Sequence, residues 1–326
     1  MGSTPTVFID GEAGTTGLQI YQRLAQRDDL EVVSIAAEKR KDPDERAKLL
    51  NAADVSILCL PDAAAREAVS WVTNPQARIL DASTAHRTAP DWAYGFAELT
   101  AQSRDRIAAS TRVSNPGCYP TGFLAVVAPL VSAGVLPTDF PLTVNAVSGY
   151  TGGGKKLIAQ YESMRAKDPT GESAAPYSPY GLKFGHKHVN EMQRYSGLKH
   201  APLFVPSVGD FAQGMVVQVP LPLWRLENPP TGQQLHSTLE NHYGSEPFVK
   251  VMPYGDAAQL RDGNFLEAKN ANHTNEVQLF VFANDETQEA LLVARLDNLG
   301  KGASGAAVQN LNIMLGLPEG AGLSAV

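Results

Sequence analysis

The chain is short of cysteine, with two in 326 residues, Cys59 and Cys118. Two thiols without an even-spaced framework build no disulfide scaffold, so a reducing compartment is expected. Charge of one sign is never concentrated. The longest like-charged block is Lys39-Arg40-Lys41, and the net charge is -7, which argues against a nucleic-acid surface. No apolar run approaches the length of a membrane span, and no internal repeat is present. The N-terminus enters a strand pattern directly, without the signature of a signal peptide, so a cytoplasmic protein with no membrane partner is expected. What remains is ordinary globular composition, 43% hydrophobic and 19% charged. The length exceeds what one core usually spans, and two domains are expected.

Thr6-Val7-Phe8-Ile9-Asp10 is a short apolar strand, followed by Gly11-Glu12-Ala13-Gly14-Thr15-Thr16-Gly17 and then Leu18, Ile20, Tyr21 and Leu24 at helical spacing. Strand, glycine turn and helix form the context of a dinucleotide fingerprint, here spaced G-x-x-G-x-x-G. The glycines let the backbone approach a pyrophosphate at the helix N-terminus. The same segment is also compatible with a plain glycine-rich βα loop. After the next strand, Glu31 to Ala37, Glu38 meets Lys39-Arg40-Lys41. The cations suit a 2′-phosphate and favour NADP, while Glu38 keeps NAD open. Asp54 to Leu60 reads as a buried strand with Cys59 in its core, ended by Pro61-Asp62, and Ala77 to Asp81 as a fourth. The latter runs into Ala82-Ser83-Thr84-Ala85-His86-Arg87, a polar loop at the edge where open α/β sheets bind ligands. Arg87 is either an anion clamp or a surface arginine.

Ser114-Asn115-Pro116-Gly117-Cys118-Tyr119-Pro120-Thr121 precedes the apolar run Phe123 to Val131. Pro116-Gly117 demands a tight turn. Cys118 then sits at the start of a buried helix, whose unpaired N–H groups and positive dipole end favour a thiolate and an oxyanion. The alternative is a small buried hydrophobe. Beyond it, Pro141 to Val147 is a strand ending in the glycine-rich Ser148 to Lys156, read as a flexible loop. Ala166 to Gly181 reads as a long loop. His186-Lys187-His188 leads into a helix; two histidines at i, i+2 on a helix do not face the same way, so no metal site is expected, and the pair is either a source of a general acid or base or an ordinary surface or core histidine pair. Strand patterns at Leu203 to Asp210, Met215 to Leu221, Phe248 to Met252, Glu276 to Phe282 and Gln288 to Asp297 make a substrate domain with few helices. The expected fold is α/β: a Rossmann-type NADP-binding domain (1–117), an α+β substrate and oligomerisation domain with a broad mixed sheet (118–296), and a C-terminal helix (297–326) returning to the first domain.

These motifs, with Val147 to Gly154, His186 to Met192 and Asp297 to Gln309, occur in one order in which the chain resembles the N-acetyl-γ-glutamyl-phosphate reductases, in the shorter of their two sequence types. Two departures stand out: Asn190 replaces a frequent proline, and Thr151-Gly152-Gly153 replaces the Ser-Gly-Ala of the longer type. The resemblance implies an NADP-dependent reductase of arginine biosynthesis acting on a small-molecule acyl phosphate, as a homodimer or homotetramer. It implies Cys118 as nucleophile and, by position alone, His188 rather than His186 as acid/base. It implies Arg87, Ser83, Asn115, Ser148, Gly149 and His186 as substrate contacts. It extends the cofactor set from Gly11, Glu12, Ala13, Gly14, Thr15, Thr16, Gly17, Lys39 and Arg40 to Pro61, Ser83, Gly152, Asn298 and Lys301. Two other readings remain at this stage: an aspartate-semialdehyde dehydrogenase, and a non-catalytic NADP-binding regulator.

Overall fold

A computed structural model describes residues 4–167 and 175–324. The chain divides into two compact units, one of residues 4–117 with 303–324 and one of 118–302. The segment 297–302, expected with the C-terminal helix, belongs instead to the second unit.

The first unit is a parallel sheet of β1 (Thr6–Asp10), β2 (Glu31–Val33), β3 (Val55–Leu58), β4 (Arg78–Asp81), β5 (Ala93–Tyr94) and β6 (Arg112–Ser114), in the order β2-β1-β3-β4-β6-β5. Both faces are covered, which is why β3 is buried at every position rather than at alternate ones. Val7, Ile9, Val55, Ile57 and Leu80 pack with α1 (Thr15–Leu24) and with Ala307, Val308 and Leu311 of the helix Gly305–Leu315. Phe8, Leu58 and Ile79 face the other way, onto α2 (Pro43–Ala52) and α3 (Asp62–Ser70). The polar stretch from Ser103 is a helix, α4 (Ser103–Ala109), and β2 stops at Val33, short of the expected Ala37.

The second unit opens with α5 (Cys118–Ser132) and continues through β7 (Thr143–Gly149), α6 (Gly154–Lys167), β8 (Tyr177–Pro179), α7 (His188–Ser196), β9 (Leu203–Gly209), β10 (Met215–Pro222), α8 (Gly232–Tyr243), β11 (Val249–Val251), β12 (Val277–Asn284) and β13 (Glu289–Leu296). Its sheet is mixed, in the order β11-β12-β13-β10-β7-β9-β8. The β10, β12 and β13 strands run antiparallel in register, whereas β9 lies parallel to β7 and never pairs with β10. Two expectations change here. The unit is rich in helices, and Ser148 to Lys156 is not a loop: β7 runs to Gly149, a single 3-10 turn follows, and Gly154 starts α6. The expected long loop from Ala166 is helical to Lys167, lies outside the described residues over 168–174, and holds β8 beyond them.

Candidate active site

In the first unit the glycine turn is tight for reasons visible at each end. Gly11 has φ +90°, and a Cβ there would stand 2.4 Å from the Cys59 carbonyl oxygen. A Cβ at Gly17 would meet the Gly11 carbonyl oxygen at 2.4 Å. Gly14 caps α1 with no side-chain hydrogen bond, leaving the first-turn amides to an incoming group. A phosphate fits this cradle. Glu12 accepts a hydrogen bond from Ser34 Oγ at 2.8 Å, beyond the end of β2. Lys39 and Arg40 are exposed on the following turn, Lys39 paired with Glu45 at 3.0 Å. Pro61 caps α3 from the end of the β3 segment. Ser83, Arg87 and Asn115 are buried together at the carboxyl edge of β4 and β6. Arg87 donates from Nε to the Asn115 carbonyl at 2.8 Å and from Nη2 to the Ala82 carbonyl at 3.3 Å. Asn115 donates from Nδ2 to the Ala303 carbonyl and accepts from Asn310, each at 3.0 Å.

In the second unit α5 starts at Cys118 itself, after Asn115-Pro116-Gly117, where Pro116 disfavours the helical region at Asn115. Every residue from Tyr119 to Val131 is buried, so the helix is an all-round apolar core element with its amino end at the partly accessible Cys118. Segment 297–302 wraps that end. A Cβ on Gly302 would stand 2.9 Å from Cys118 Cβ, so no side chain is possible there without displacing Cys118. The segment is pinned by the Asp297 carboxylate, which accepts from Gln213 Nε2 (2.6 Å), His273 N–H (2.7 Å) and Leu299 N–H (2.9 Å). Next to it Asn298 accepts from Gly214 N–H at 2.8 Å and donates to Thr151 Oγ1 at 3.1 Å. A Cβ on Gly152 would lie 3.1 Å from Ser148 Oγ and 3.5 Å from Asn298 Nδ2, so Ser148, Gly152 and Asn298 converge. Gly149 lies against Ala212, whose carbonyl oxygen a Cβ would reach at 2.5 Å. Lys301 departs from this group: it is buried, with its Nζ 5.6 Å from the Phe248 ring.

The two histidines come together for a reason the spacing hides. His186 precedes α7 and His188 opens it, so helical geometry does not separate them, and their rings lie edge to face at 4.7 Å. Tyr119 lies 5.9 Å from the ring of His188, and Tyr180 lies 5.9 Å from that of His186. The Tyr180 hydroxyl donates to that of Tyr119 at 3.3 Å, which donates to the Ser207 carbonyl at 3.1 Å. Burial, with some contribution from the charge of Cys118, pushes Tyr180 up to about 12 and Tyr119 further, so both phenols stay protonated donors beside the thiol. Sequence reasoning misses this pair: Tyr119 is visible in the cysteine motif, but Tyr180 has no local signal. It also misses Asp297 and Gln213, which are 84 residues apart. Cys59, half-buried like Cys118, is the contrast: burial of its thiol and the nearby Asp81 and Asp10 carboxylates push it up to about 12, which keeps it protonated at neutral pH.

His186 Nδ1 accepts the His188 N–H at 3.2 Å, which leaves the proton of the neutral ring on Nε2. Burial, aided by the Lys187 ammonium, holds His186 below the ordinary value of 6.5. The unfolded chain therefore takes up this proton first. The stability the neutral ring contributes is complete above about pH 6.5 and is lost as the pH falls toward the folded value. Thermal unfolding should show a fall in Tm from about pH 7.5 to about pH 5.5 that His186→Asn makes shallower; an identical slope in the variant would exclude this contribution.

Residues 6–107 match the family model described as semialdehyde dehydrogenase, NAD binding domain, and residues 118–298 that described as semialdehyde dehydrogenase, dimerisation domain. The chain is 65% identical over 319 residues to N-acetyl-gamma-glutamyl-phosphate reductase 2 of Nostoc sp., covering 98% of this chain and 99% of that one. It is 50% identical over 315 residues to N-acetyl-gamma-glutamyl-phosphate reductase of Mesorhizobium japonicum, covering 96% and 99%. Among solved structures, aspartate semialdehyde dehydrogenase II of Vibrio cholerae shares the fold, with a TM-score of 0.73 at 14% identity over 96% of this chain and 99% of that one.

Proposed function

The chain belongs to the N-acetyl-gamma-glutamyl-phosphate reductases, and on that premise we propose how its residues carry the reaction. The reaction is NADPH-dependent reduction of N-acetyl-γ-glutamyl phosphate to the semialdehyde with release of phosphate, a step of arginine biosynthesis. Cys118 thiolate attacks the acyl carbon; the sulfur–carbon bond forms, the carbon–oxygen bond to phosphate breaks, and phosphate leaves. Bound NADPH supplies the hydride that reduces the thioester. His188 takes the proton of the Cys118 thiol and gives it to the alkoxide that results; it takes that hydroxyl proton back as the carbon–sulfur bond breaks to give the aldehyde and the thiolate. A thioester suits this chemistry because it holds the acyl carbon fixed and is a better hydride acceptor than a carboxylate.

Gly11, Glu12, Ala13, Gly14, Thr15, Thr16 and Gly17 hold the pyrophosphate, with Lys39 and Arg40 toward the 2′-phosphate and Pro61, Ser83, Gly152 and Asn298 completing the set. Arg87, Ser83, Asn115, Ser148, Gly149 and His186 are the proposed substrate contacts. The observation that carries the reading is Cys118 as first residue of a helix buried from Tyr119 to Val131, with the phenols of Tyr119 and Tyr180 near its thiol and the rings of His188 and His186 against those phenols. The aspartate-semialdehyde reading rests on fold alone, at 14% identity. A homodimer or homotetramer formed through the second unit is proposed from the dimerisation-domain match, and a cytoplasmic location from the two free cysteines. Among the described residues no helix is long and apolar enough to cross a membrane. The test is direct: purified protein with N-acetylglutamate semialdehyde, NADP and phosphate should produce NADPH, and should do so poorly with aspartate semialdehyde. Equal rates with both aldehydes would overturn the substrate assignment.

A further inference from the structure

In the first unit the carboxylate of Asp81 is completely buried at the end of β4. It accepts Ser83 N–H at 2.8 Å, Ser83 Oγ–H at 2.8 Å, and approaches His86 Nδ1 at 2.6 Å. A carboxylate removed from water must be satisfied by donors, so the third partner sets Nδ1 of His86 as protonated. The imidazole is stacked on Trp92, with ring centroids 4.1 Å apart and planes within 8°. The loop thus folds back on its own first residue. Arg87 follows His86 directly and closes the ring by donating to the Ala82 carbonyl. Its Nε holds the carbonyl of Asn115, which precedes Pro116 in the cysteine motif. The backbone of Asn115 in turn donates to the Asp81 carbonyl at 2.8 Å. Asp81 and His86 therefore sit at the hub of the loop that presents both Ser83 and Arg87.

We propose that His86 is a positioning residue for the reductase: its Nδ1–H, given to Asp81, locks loop 81–87 in the geometry in which Arg87 receives the anionic substrate, with Ser83 held against Asp81 beside it. This rests on the assignment of Arg87 as a substrate contact made above. Ring stacking and hydrogen bonding can be separated. His86→Phe keeps a ring over Trp92 and removes the donor. His86→Asn removes the ring and places an amide N–H close to where Nδ1 stood.

A contact from Arg87 to a part of the substrate that does not react is uniform binding, and its loss raises KM and leaves kcat. His86→Phe should raise KM for N-acetylglutamyl phosphate by about tenfold or more, as expected for a charge-assisted hydrogen bond, with kcat within about threefold. His86→Asn should restore KM to within about threefold of wild type, although its Tm falls further for want of the stack. A purely structural role predicts the reverse order, with Phe the milder change. Unmoved KM in His86→Phe, a kcat loss at constant KM, or failure of Asn to rescue would each overturn the proposal. Wild type run alongside separates this from the parent reading: absent turnover in wild type refutes the substrate assignment. In that event the imidazole nitrogen NMR spectrum still decides the hydrogen bond, since an unprotonated Nδ1 at about pH 7 would exclude it.

Discussion

Cys118→Ser should lower turnover on the order of 10^3-fold or more while leaving the fold and NADPH binding in place. A hydroxyl occupies the sulfur's position with little change in size, so α5 keeps its start and Gly302 its contact. What is lost is the accessible anion. The unpaired N–H groups and positive dipole end at a helix N-terminus favour a thiolate, whereas a serine hydroxyl does not ionise at neutral pH. Sulfur is also lost as a leaving group: an oxygen ester accepts hydride less readily than a thioester, and the hemiacetal it would give must expel an alkoxide rather than a thiolate. Cys59→Ala in the same assay should retain activity, since that thiol is held up to about 12 by burial and two carboxylates. Iodoacetamide at about pH 7.5 should accordingly label Cys118 and spare Cys59. Turnover that survives Cys118→Ser would move the chemistry off the sulfur, whereas wild type that binds NADPH without any turnover would restore the reading of the chain as a non-catalytic NADP-binding regulator.

A division between local and distant causes also separates what the sequence discloses from what it hides. The β1–turn–α1 segment and α5 are legible because their signals are local: an apolar strand before spaced glycines, and an unbroken apolar run after proline and glycine. Ser148 to Lys156 reads wrongly because glycine content signals flexibility, yet here Gly153 is packed so closely on Leu157 that a Cβ would lie 2.4 Å from its Cδ2. The helix α8 carries a capping box, Thr231 with Gln234, but it follows Asn228-Pro229-Pro230, which masks the start. At the site, the residue types are visible and the arrangement is not. Nothing in His186-Lys187-His188 says that the helix begins at the second histidine, and that one fact brings the rings together. Asp297 with Gln213, and Tyr119 with Tyr180, meet only through the tertiary fold, beyond the reach of any periodicity.

Gly11→Ala should cost about 2–4 kcal/mol and abolish measurable NADPH binding, the largest structural effect expected of a single methyl in the first unit. Two costs add. A φ of +90° is unfavourable for any residue with a Cβ, by roughly 1–2 kcal/mol even in the more favourable left-handed region. The methyl would also stand 2.4 Å from the Cys59 carbonyl oxygen and 2.9 Å from its carbon, both backbone atoms that cannot swing aside. Cys59 is itself tied to this spot, its N–H donating to the Asp10 carbonyl at 2.8 Å, so relief requires parting the ends of β1 and β3. A Tm lower by about 5–10 °C is the expected reading for a unit of this size. Gly14→Ala is the control that separates strain from occupancy. Its backbone is extended (φ -72°, ψ 167°), and the nearest atoms to an added Cβ are carbonyl oxygens at 3.2 and 3.8 Å. That variant should unfold near the wild-type temperature yet bind NADPH weakly, because its methyl lies at the uncapped start of α1 where the pyrophosphate must approach. Wild-type affinity in Gly14→Ala would remove the cradle from this turn, and wild-type Tm in Gly11→Ala would show that the paired ends of β1 and β3 yield more easily than their backbone contacts allow.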